Sequence, residues 1–236
     1  MRSIHNVLYK LIAFLIRLFC PIKYWYSVVH KVTQFTKYLF INSTNKFHAI
    51  ERRRADQINK LLSLLTRSQR EFPIPYTFES FELPKSTQGI ILCSVHLPLV
   101  KVAVKSCLEH EILIDYALVG RATKDSKMAV WGMKTKLPTL VRNSYVLVKA
   151  KTRLQQNKTI LLMIDQKDGQ YSPNMLKLCQ KLNSQLYFLF SELSAHGEII
   201  TRYLPAPYPN CNTQQEIEAN LNYLRKESDE IFRRYG

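Results

Sequence analysis

A histidine stands between a short apolar run of the sequence and an apolar helical pattern. Residues 89–95 predict a buried strand, and residues 97–109 predict a helix with Pro98 in its first turn. His96 lies directly between the two elements. In open α/β sheets, ligands bind at the carboxyl ends of the strands. An imidazole in this position is therefore suited to act as a general base.

Four more polar side chains stand at or just beyond the ends of predicted strands, or in a loop before one. They are Arg121 after the strand 112–119, Arg142 in the loop before a short strand 145–148, and Asp165 with Gln166 after the strand 159–164. We expect His96, Arg121 and Asp165 to meet at one edge of a single sheet and to line one concavity. The alternative is that His96 caps a helix, Asp165 starts a turn and the arginines are surface residues.

Helices and strands alternate along the rest of the chain. The patterns predict helices near 150–156 and over 175–182 and 214–234, and a β-hairpin from 185–191 and 198–204. A mostly polar passage that contains Trp131 and Pro138 leads to the possible short strand 145–148. This alternation predicts an α/β fold with a mixed, partly parallel sheet that is flanked by helices.

The composition limits the class of protein. An apolar fraction of 46% excludes a disordered chain. Lys and Arg number 34 against 18 Asp and Glu, so the formal charge of +16 implies an anionic partner: nucleic acid, acidic lipid or an acidic carrier protein. The five cysteines are odd in number and lack C-x-x-C spacing. We therefore expect no disulfide framework, no metal site and a reducing compartment.

The first 50 residues hold seven bases and no acid, interleaved with bulky aliphatic and aromatic residues. This pattern predicts an amphipathic segment that binds an anionic membrane surface on its cytoplasmic side. The charge-free run 11–16 is too short to span a bilayer. Lys10 and Arg17 fall on nearly the same stripe of a helix that Pro21 ends or bends. The alternative is a basic-edged helix that packs on the domain.

The sequence divides into three predicted parts. Residues 1–45 form the basic, membrane-associating segment, residues 46–84 a helix and a Pro-containing linker, and residues 85–236 the α/β domain. The helix of the middle part carries the bases 52–54, which form either a solvated face or a patch for phosphates or an acidic carrier. Three prolines, Pro73, Pro75 and Pro84, predict a loop after that helix.

The run GIILCSVHLPL, which contains His96, resembles the strand–histidine–helix opening of the lysophospholipid acyltransferase superfamily, whose motif is H-x-x-x-x-D/E. Within that superfamily the sequence comes nearest to the bacterial lipid A late acyltransferases. Segments similar to theirs follow in the family's order: ALVGRATKD, LPTLVRNSYVLV, RLQQNKTILLMIDQKDG, LKLCQKLNSQLYFLF and HGEIITRYLPAP. The basic, apolar N-terminus is similar to the family's membrane-anchoring segment. The resemblance covers residues 85–207.

This resemblance implies an acyltransferase-like fold and an acyl transfer reaction. A fatty acyl thioester, on acyl carrier protein or coenzyme A, would be attacked by a hydroxyl of a glycolipid or lysolipid at the inner membrane. His96 would deprotonate that hydroxyl, Arg121 and Arg142 would bind phosphate or the carrier, and Gln166 would help to bind substrate. Asp165 would order its loop or replace a missing acid. No metal or redox cofactor is implied.

Two departures from the family pattern qualify this expectation. The acid of the family motif falls on Lys101, here assigned to substrate binding, and a lysine disfavours positive charge on His96. The loop after residues 165–166 is also short and lacks the family's aromatic–glycine segment. The expected activity is therefore reduced, and the alternative is a non-catalytic relative that binds lipid. A basic nucleic-acid-binding protein ranks last, because bulky aliphatics interleave with the bases.

Overall fold

A computed structural model describes residues 2–36, 48–68, 70–80, 88–120, 127–164, 171–194 and 198–235. The strands are β1 (Thr77–Ser80), β2 (Ile90–Ser94), β3 (Tyr116–Val119), β4 (Lys127–Ala129), β5 (Lys136–Val141), β6 (Thr159–Met163), β7 (Gln185–Leu193) and β8 (Ile199–Pro205). The helices are α1 (Arg2–Phe19), α2 (Trp25–Thr36), α3 (His48–Thr66), α4 (Val100–Glu109), α5 (Val146–Gln155), α6 (Asn174–Leu182) and α7 (Gln214–Tyr235), with a 3₁₀ turn at Ile22–Tyr24.

The eight strands form one sheet in the order β1-β8-β7-β2-β6-β3-β5-β4. The central strands β7, β2, β6, β3 and β5 are parallel to one another. Strand β8 runs antiparallel to β7, β1 runs parallel to β8, and β4 runs antiparallel to β5. The predicted α/β class with a mixed, partly parallel sheet is confirmed. We call the edge where the five central strands end the carboxyl edge; β1 and β8 begin there.

Side chains of successive residues in a strand point to opposite faces of the sheet. In the central strands β2, β6 and β7 nearly all of them are buried, so both faces are covered there. Ile91 and Cys93 of β2 belong to the larger core cluster, which also holds buried residues of α3, α5, α6 and α7. Leu92 belongs to a second cluster with buried residues of α4, such as Ala103 and Val104. Runs of apolar residues in the central strands follow from this two-sided burial.

The N-terminal helices pack on the rest of the protein through α3, which contacts α1, α2 and α7. Helix α1 buries Tyr9, Ala13 and Ile16, and the Arg17 guanidinium donates a hydrogen bond to the Leu64 carbonyl. Its other side exposes large apolar side chains: Val7, Leu11, Phe14, Leu15, Leu18 and Phe19. None of the described helices is long and apolar enough to cross a bilayer. Helix α1 is thus packed on one side and apolar on the other.

Most predicted elements are confirmed, including the strand before His96, the helix after it, the hairpin of β7 and β8, and the end of α1 before Pro21. The predicted strand 112–119 is shortened to its second half. Glu111 has a positive φ of 60°, and the amide of Ile112 bonds to the carbonyl of Cys107. The residues directly after α4 are therefore held in its terminal turn, and the strand begins only at Tyr116.

Two other expectations were wrong, and one pair of strands was not predicted. The short strand at 145–148 is the start of α5, because the Asn143 side chain accepts a hydrogen bond from the Tyr145 amide and turns the chain. The polar passage 127–141 forms the antiparallel pair β4–β5. These are the last two strands of the sheet, and their lysines are exposed. The stretch read as a Pro-containing loop includes Thr77–Ser80, so the sheet begins before residue 85.

Candidate functional site

Four neighbouring parallel strands, β2, β6, β3 and β5, end at the carboxyl edge. His96 follows β2 and Arg142 follows β5. Gly120 and Ile164 follow β3 and β6, and they are the last described residues before Arg121 and Asp165. Neighbouring strands are about 4.8 Å apart, so β2 and β5 are separated by roughly 14 Å. The predicted site residues therefore follow strands that end within one small region.

A backbone hydrogen bond holds the ends of β2 and β6 together. The amide of Ile164 donates to the carbonyl of Ser94 over 2.9 Å. The Ser94 hydroxyl is buried and donates to the carbonyl of Leu189 in β7 over 2.5 Å. The end of β2 is thus bonded to both neighbouring strands, which fixes the position from which His96 departs.

The ends of β3 and β5 are joined in the same way. The amide of Arg142 donates to the carbonyl of Val119 over 2.8 Å. The Arg142 side chain is exposed, so its guanidinium is accessible to an anionic ligand. This bond ties the backbone of Arg142 to Val119, which stands two residues before Arg121 in the sequence.

His96 is the central residue of a tight turn between β2 and α4. The amide of Leu97 donates to the carbonyl of Val95 over 2.7 Å, which closes a three-residue turn. Val95 and Leu97 are buried, whereas His96 is exposed. The two apolar neighbours anchor the turn, and the imidazole lies at the surface of the carboxyl edge. A hydroxyl could approach an imidazole in this position.

Lys101 occupies the position where the resembling family has an acid. It lies in the first turn of α4, and its Nζ atom is 5.3 Å from the centroid of the Trp131 ring. Burial lowers the pKa of Lys101, because partial desolvation disfavours the ammonium ion. The contact with the indole face is a cation–π interaction that partly offsets this cost. The lysine therefore has a structural partner of its own.

Lys105, one turn further along α4, has a different partner. It is buried and forms an ion pair with Glu109, which also accepts a 2.6 Å hydrogen bond from the Tyr76 hydroxyl. Lys101 and Lys105 are four residues apart on α4, a spacing that places two bases on one helix face. Instead, one contacts an aromatic ring and the other a carboxylate, so they are not a joint phosphate-binding pair.

A cavity of about 450 Å³ lies at the carboxyl edge, next to the beginnings of β1 and β8. Its lining includes Tyr26, His30 and Lys31 of α2, together with Tyr76 and Glu198. Neither His96 nor Arg142 is among the lining residues. The cavity is therefore separate from the region around His96.

A buried arginine supports the wall of this cavity. Arg54 of α3 donates a 2.6 Å hydrogen bond to Nε2 of His30, which must therefore carry a lone pair on that nitrogen. Burial raises the pKa of Tyr26 to about 12, and the nearby Arg54 only partly opposes that rise. The sequence suggested a solvated or ligand-binding cluster at 52–54, but Arg54 is buried in the helical layer. Its hydrogen bond with His30 joins α3 to α2, and no pattern within either helix indicates this contact.

The structure describes three of the six predicted site residues. His96 and Arg142 lie at the carboxyl edge, and Lys101 lies on α4 against Trp131. Arg121, Asp165 and Gln166 fall outside the described residues. The expectation that these side chains line one concavity therefore stays a prediction. Among the described residues, no cluster of three or more His, Cys, Asp or Glu side chains could hold a metal ion.

Comparison with known proteins gives no assignment: no protein-family model and no curated protein matches this sequence.

Proposed function

We propose that the protein is a membrane-surface acyltransferase-like protein related to the lipid A late acyltransferases. It would transfer a fatty acyl group from a thioester, on acyl carrier protein or coenzyme A, to a hydroxyl of a glycolipid or lysolipid. The observation that carries this proposal is the parallel order β2-β6-β3-β5. It supports one site built from His96, Arg142 and the residues that follow β3 and β6.

The reaction assigned to this site is a general-base-assisted acyl transfer. His96 takes the proton from the acceptor hydroxyl while the hydroxyl oxygen attacks the thioester carbonyl. The tetrahedral intermediate then expels the thiolate, and the imidazolium returns the proton to that sulfur. Arg121 and Arg142 bind phosphate groups of the acceptor or the carrier, because guanidinium groups pair well with phosphate. Gln166 and Lys101 complete the substrate contacts.

Asp165 is proposed to replace the acid that the family motif carries at the position of Lys101. A carboxylate near His96 would orient the imidazole and stabilise its charged form. The supporting observation is the hydrogen bond between Ile164 and Ser94, since these residues immediately precede Asp165 and the turn of His96. No metal or redox cofactor enters this proposal.

The membrane location is supported by α1. Lys10 of this helix and Lys23 in the 3₁₀ turn after it are exposed, as is the apolar face of α1. Apolar side chains flanked by bases suit a helix that lies in the interface of an anionic bilayer. We propose that α1 holds the protein on the cytoplasmic face of the inner membrane.

A second candidate function is non-catalytic lipid binding, and the environment of Lys101 favours it. A lysine packed on Trp131 cannot supply the negative charge that the family motif places near the histidine. The same fold would then hold a lipid at the membrane surface without turnover.

Labelled acyl-carrier protein and membranes, incubated with the purified protein, separate these candidates. For an active enzyme, His96→Ala should lower acyl transfer by about 10²–10⁴-fold. The matched control is His110→Ala, which removes an exposed histidine stacked on Phe78 beyond the end of α4. No transfer by the unmodified protein, together with retained lipid binding, would favour the non-catalytic candidate.

A further inference from the structure

Every charged residue in the segment from β4 to the end of β6 is basic. Residues 127–164 contain eight Lys and Arg residues and no Asp or Glu. The structure describes this segment without a gap. Its bases are Lys127, Lys134, Lys136, Arg142, Lys149, Lys151, Arg153 and Lys158. We call residues 127–164 the basic segment.

Three of these bases are exposed and lie near the junction of β5 and α5. Arg142 directly follows β5 at the carboxyl edge, and Lys149 and Lys151 lie in the first two turns of α5. Within the described part of the chain, none of the three forms an ion pair, whereas Lys158 pairs with Asp115 over 3.1 Å. Their charge is therefore available to an external anion. A short turn, residues 142–145, connects β5 to α5, which carries Lys149 and Lys151.

Large apolar side chains are exposed at the start of α5. Tyr145, Leu147 and Val148 are 67%, 42% and 61% exposed. The opposite side of α5 is anchored in the core by Ala150 and Leu154, which are buried. We call Tyr145, Leu147 and Val148 the α5 tip. Exposed apolar groups surrounded by bases are typical of interaction sites rather than of an ordinary surface.

We propose that the α5 tip inserts into the surface of an anionic bilayer while Arg142, Lys149 and Lys151 contact lipid phosphates. This contact turns the carboxyl edge of the sheet, with His96, toward the membrane. The inference rests on the proposed membrane location but not on acyl transfer. It adds a second membrane contact to the one proposed for α1.

The arrangement of the tip favours a bilayer over a protein partner. A protein groove that holds a helix reads apolar residues spaced at i, i+3, i+4 and i+7. The three tip residues are instead clustered in four consecutive positions at the end of one helix. An apolar helix start with bases before and after it in the sequence fits a fluid interface, where tyrosine is enriched and each nearby base adds attraction to anionic lipid.

Tryptophan fluorescence of the full chain tests this contact. The natural residues Trp25 and Trp131 are each only 1% exposed, so their emission should respond little to a bilayer. In Tyr145→Trp, the new indole should shift its emission to the blue on addition of phosphatidylcholine vesicles that contain phosphatidylglycerol. The matched control is Tyr208→Trp, since Tyr208 is 47% exposed and follows β8 at the opposite edge. Its emission should not shift.

The outcomes separate the contact by the α5 tip from the membrane location proposed for α1. Vesicle binding without a blue shift in Tyr145→Trp would overturn the inference but leave the contact by α1. No binding of any variant to vesicles would sink the proposed membrane location itself. A shift of equal size in Tyr208→Trp, or a shift with an acidic carrier protein and none with vesicles, would also overturn the inference.

Charge variants give an independent readout. Lys149→Gln with Lys151→Gln should weaken partitioning to anionic vesicles on the order of fivefold for each base removed. Both lysines are exposed, so the fold should not change. Affinity equal to that of the unmodified protein would contradict the contact with lipid phosphates.

Discussion

The amide of Ile164 donates a 2.9 Å hydrogen bond to the carbonyl of Ser94. Ile164 immediately precedes Asp165, and Ser94 stands two residues before His96. This bond is the last cross-strand link between β6 and β2, so it sets where both chain segments leave the sheet. The proposed pairing of an aspartate with a histidine depends on this register.

Gly132 is predicted to be intolerant of any side chain. Its φ is +68°, and a Cβ atom would lie 2.4 Å from the carbonyl oxygen of Phe72. Gly132→Ala should lower the free energy of unfolding by more than about 1–2 kcal/mol, the usual cost of a left-handed residue. Gly120→Ala, where nothing lies within 4 Å, is the matched control. Urea denaturation that gives the two variants equal stability would disprove this reading of the turn.

The two lysines of α4 are predicted to differ in their effect on stability. Lys101→Met keeps an apolar stem against Trp131 and removes a partly desolvated charge, so stability should stay within about 1 kcal/mol or rise. Lys105→Met leaves Glu109 without its buried partner and should cost about 1–3 kcal/mol. Thermal unfolding checks both. The reverse order of stability would show that Lys101 has the more important structural contact.

Stability is predicted to fall with rising pH in the alkaline range. Burial raises the pKa of Tyr26 to about 12 in the folded protein, against an ordinary value of 10. Between these values the unfolded chain loses the proton first, so it binds fewer protons and unfolding becomes more favourable. Burial likewise raises the pKa of the Cys93 and Cys107 thiols. Their stabilising contribution is present at lower pH and is lost as the pH rises.

The variant Tyr26→Phe isolates one part of this dependence. Between pH 10 and 12, the slope of unfolding free energy against pH should become shallower by up to about 1.4 kcal/mol per pH unit. The exposed ring of Tyr24, two residues earlier, provides Tyr24→Phe as the control. An equal change of slope in both variants would argue against burial as the cause.

Helix α1 is predicted to supply most of the apolar attachment to vesicles. Phe14→Ser with Leu18→Ser should weaken binding to anionic vesicles by at least about tenfold, because two bulky side chains no longer enter the interface. Both residues are exposed, so unfolding should be unchanged. Flotation at low and high salt is the measurement, with Leu113→Ser, an exposed leucine ahead of β3, as the control. Equal loss in the control would contradict a specific role for α1.

The local patterns around the site were readable from sequence because they are strong. The run 89–95 is apolar on both faces of a central strand, and Pro98 marks the start of the following helix. Edge elements were harder, since β1, β4 and β5 carry exposed polar residues that dilute the apolar signal. Residues 145–148 were wrongly predicted as a strand because valine and tyrosine favour strands, whereas the turn at Asn143 starts a helix.

Pairings between distant elements were not readable at all. The contact of Lys101 with Trp131 joins residues 30 positions apart, and that of Arg54 with His30 joins two helices. Such partners depend on tertiary packing, and no periodicity within either element indicates them. The exposed apolar face of α1 was anticipated as an apolar, basic segment, but which side packs on α3 required the structure.

Acyl transfer by single and double variants at His96 and Asp165 tests the central claim most directly. If the two residues act as one unit, His96→Ala, Asp165→Asn and the double variant should each lose about the same activity, about 10²–10⁴-fold. Labelled acyl-carrier protein and membrane acceptor supply the assay, and His110→Ala supplies the control. Transfer by the unmodified protein that survives the loss of His96 would contradict the account.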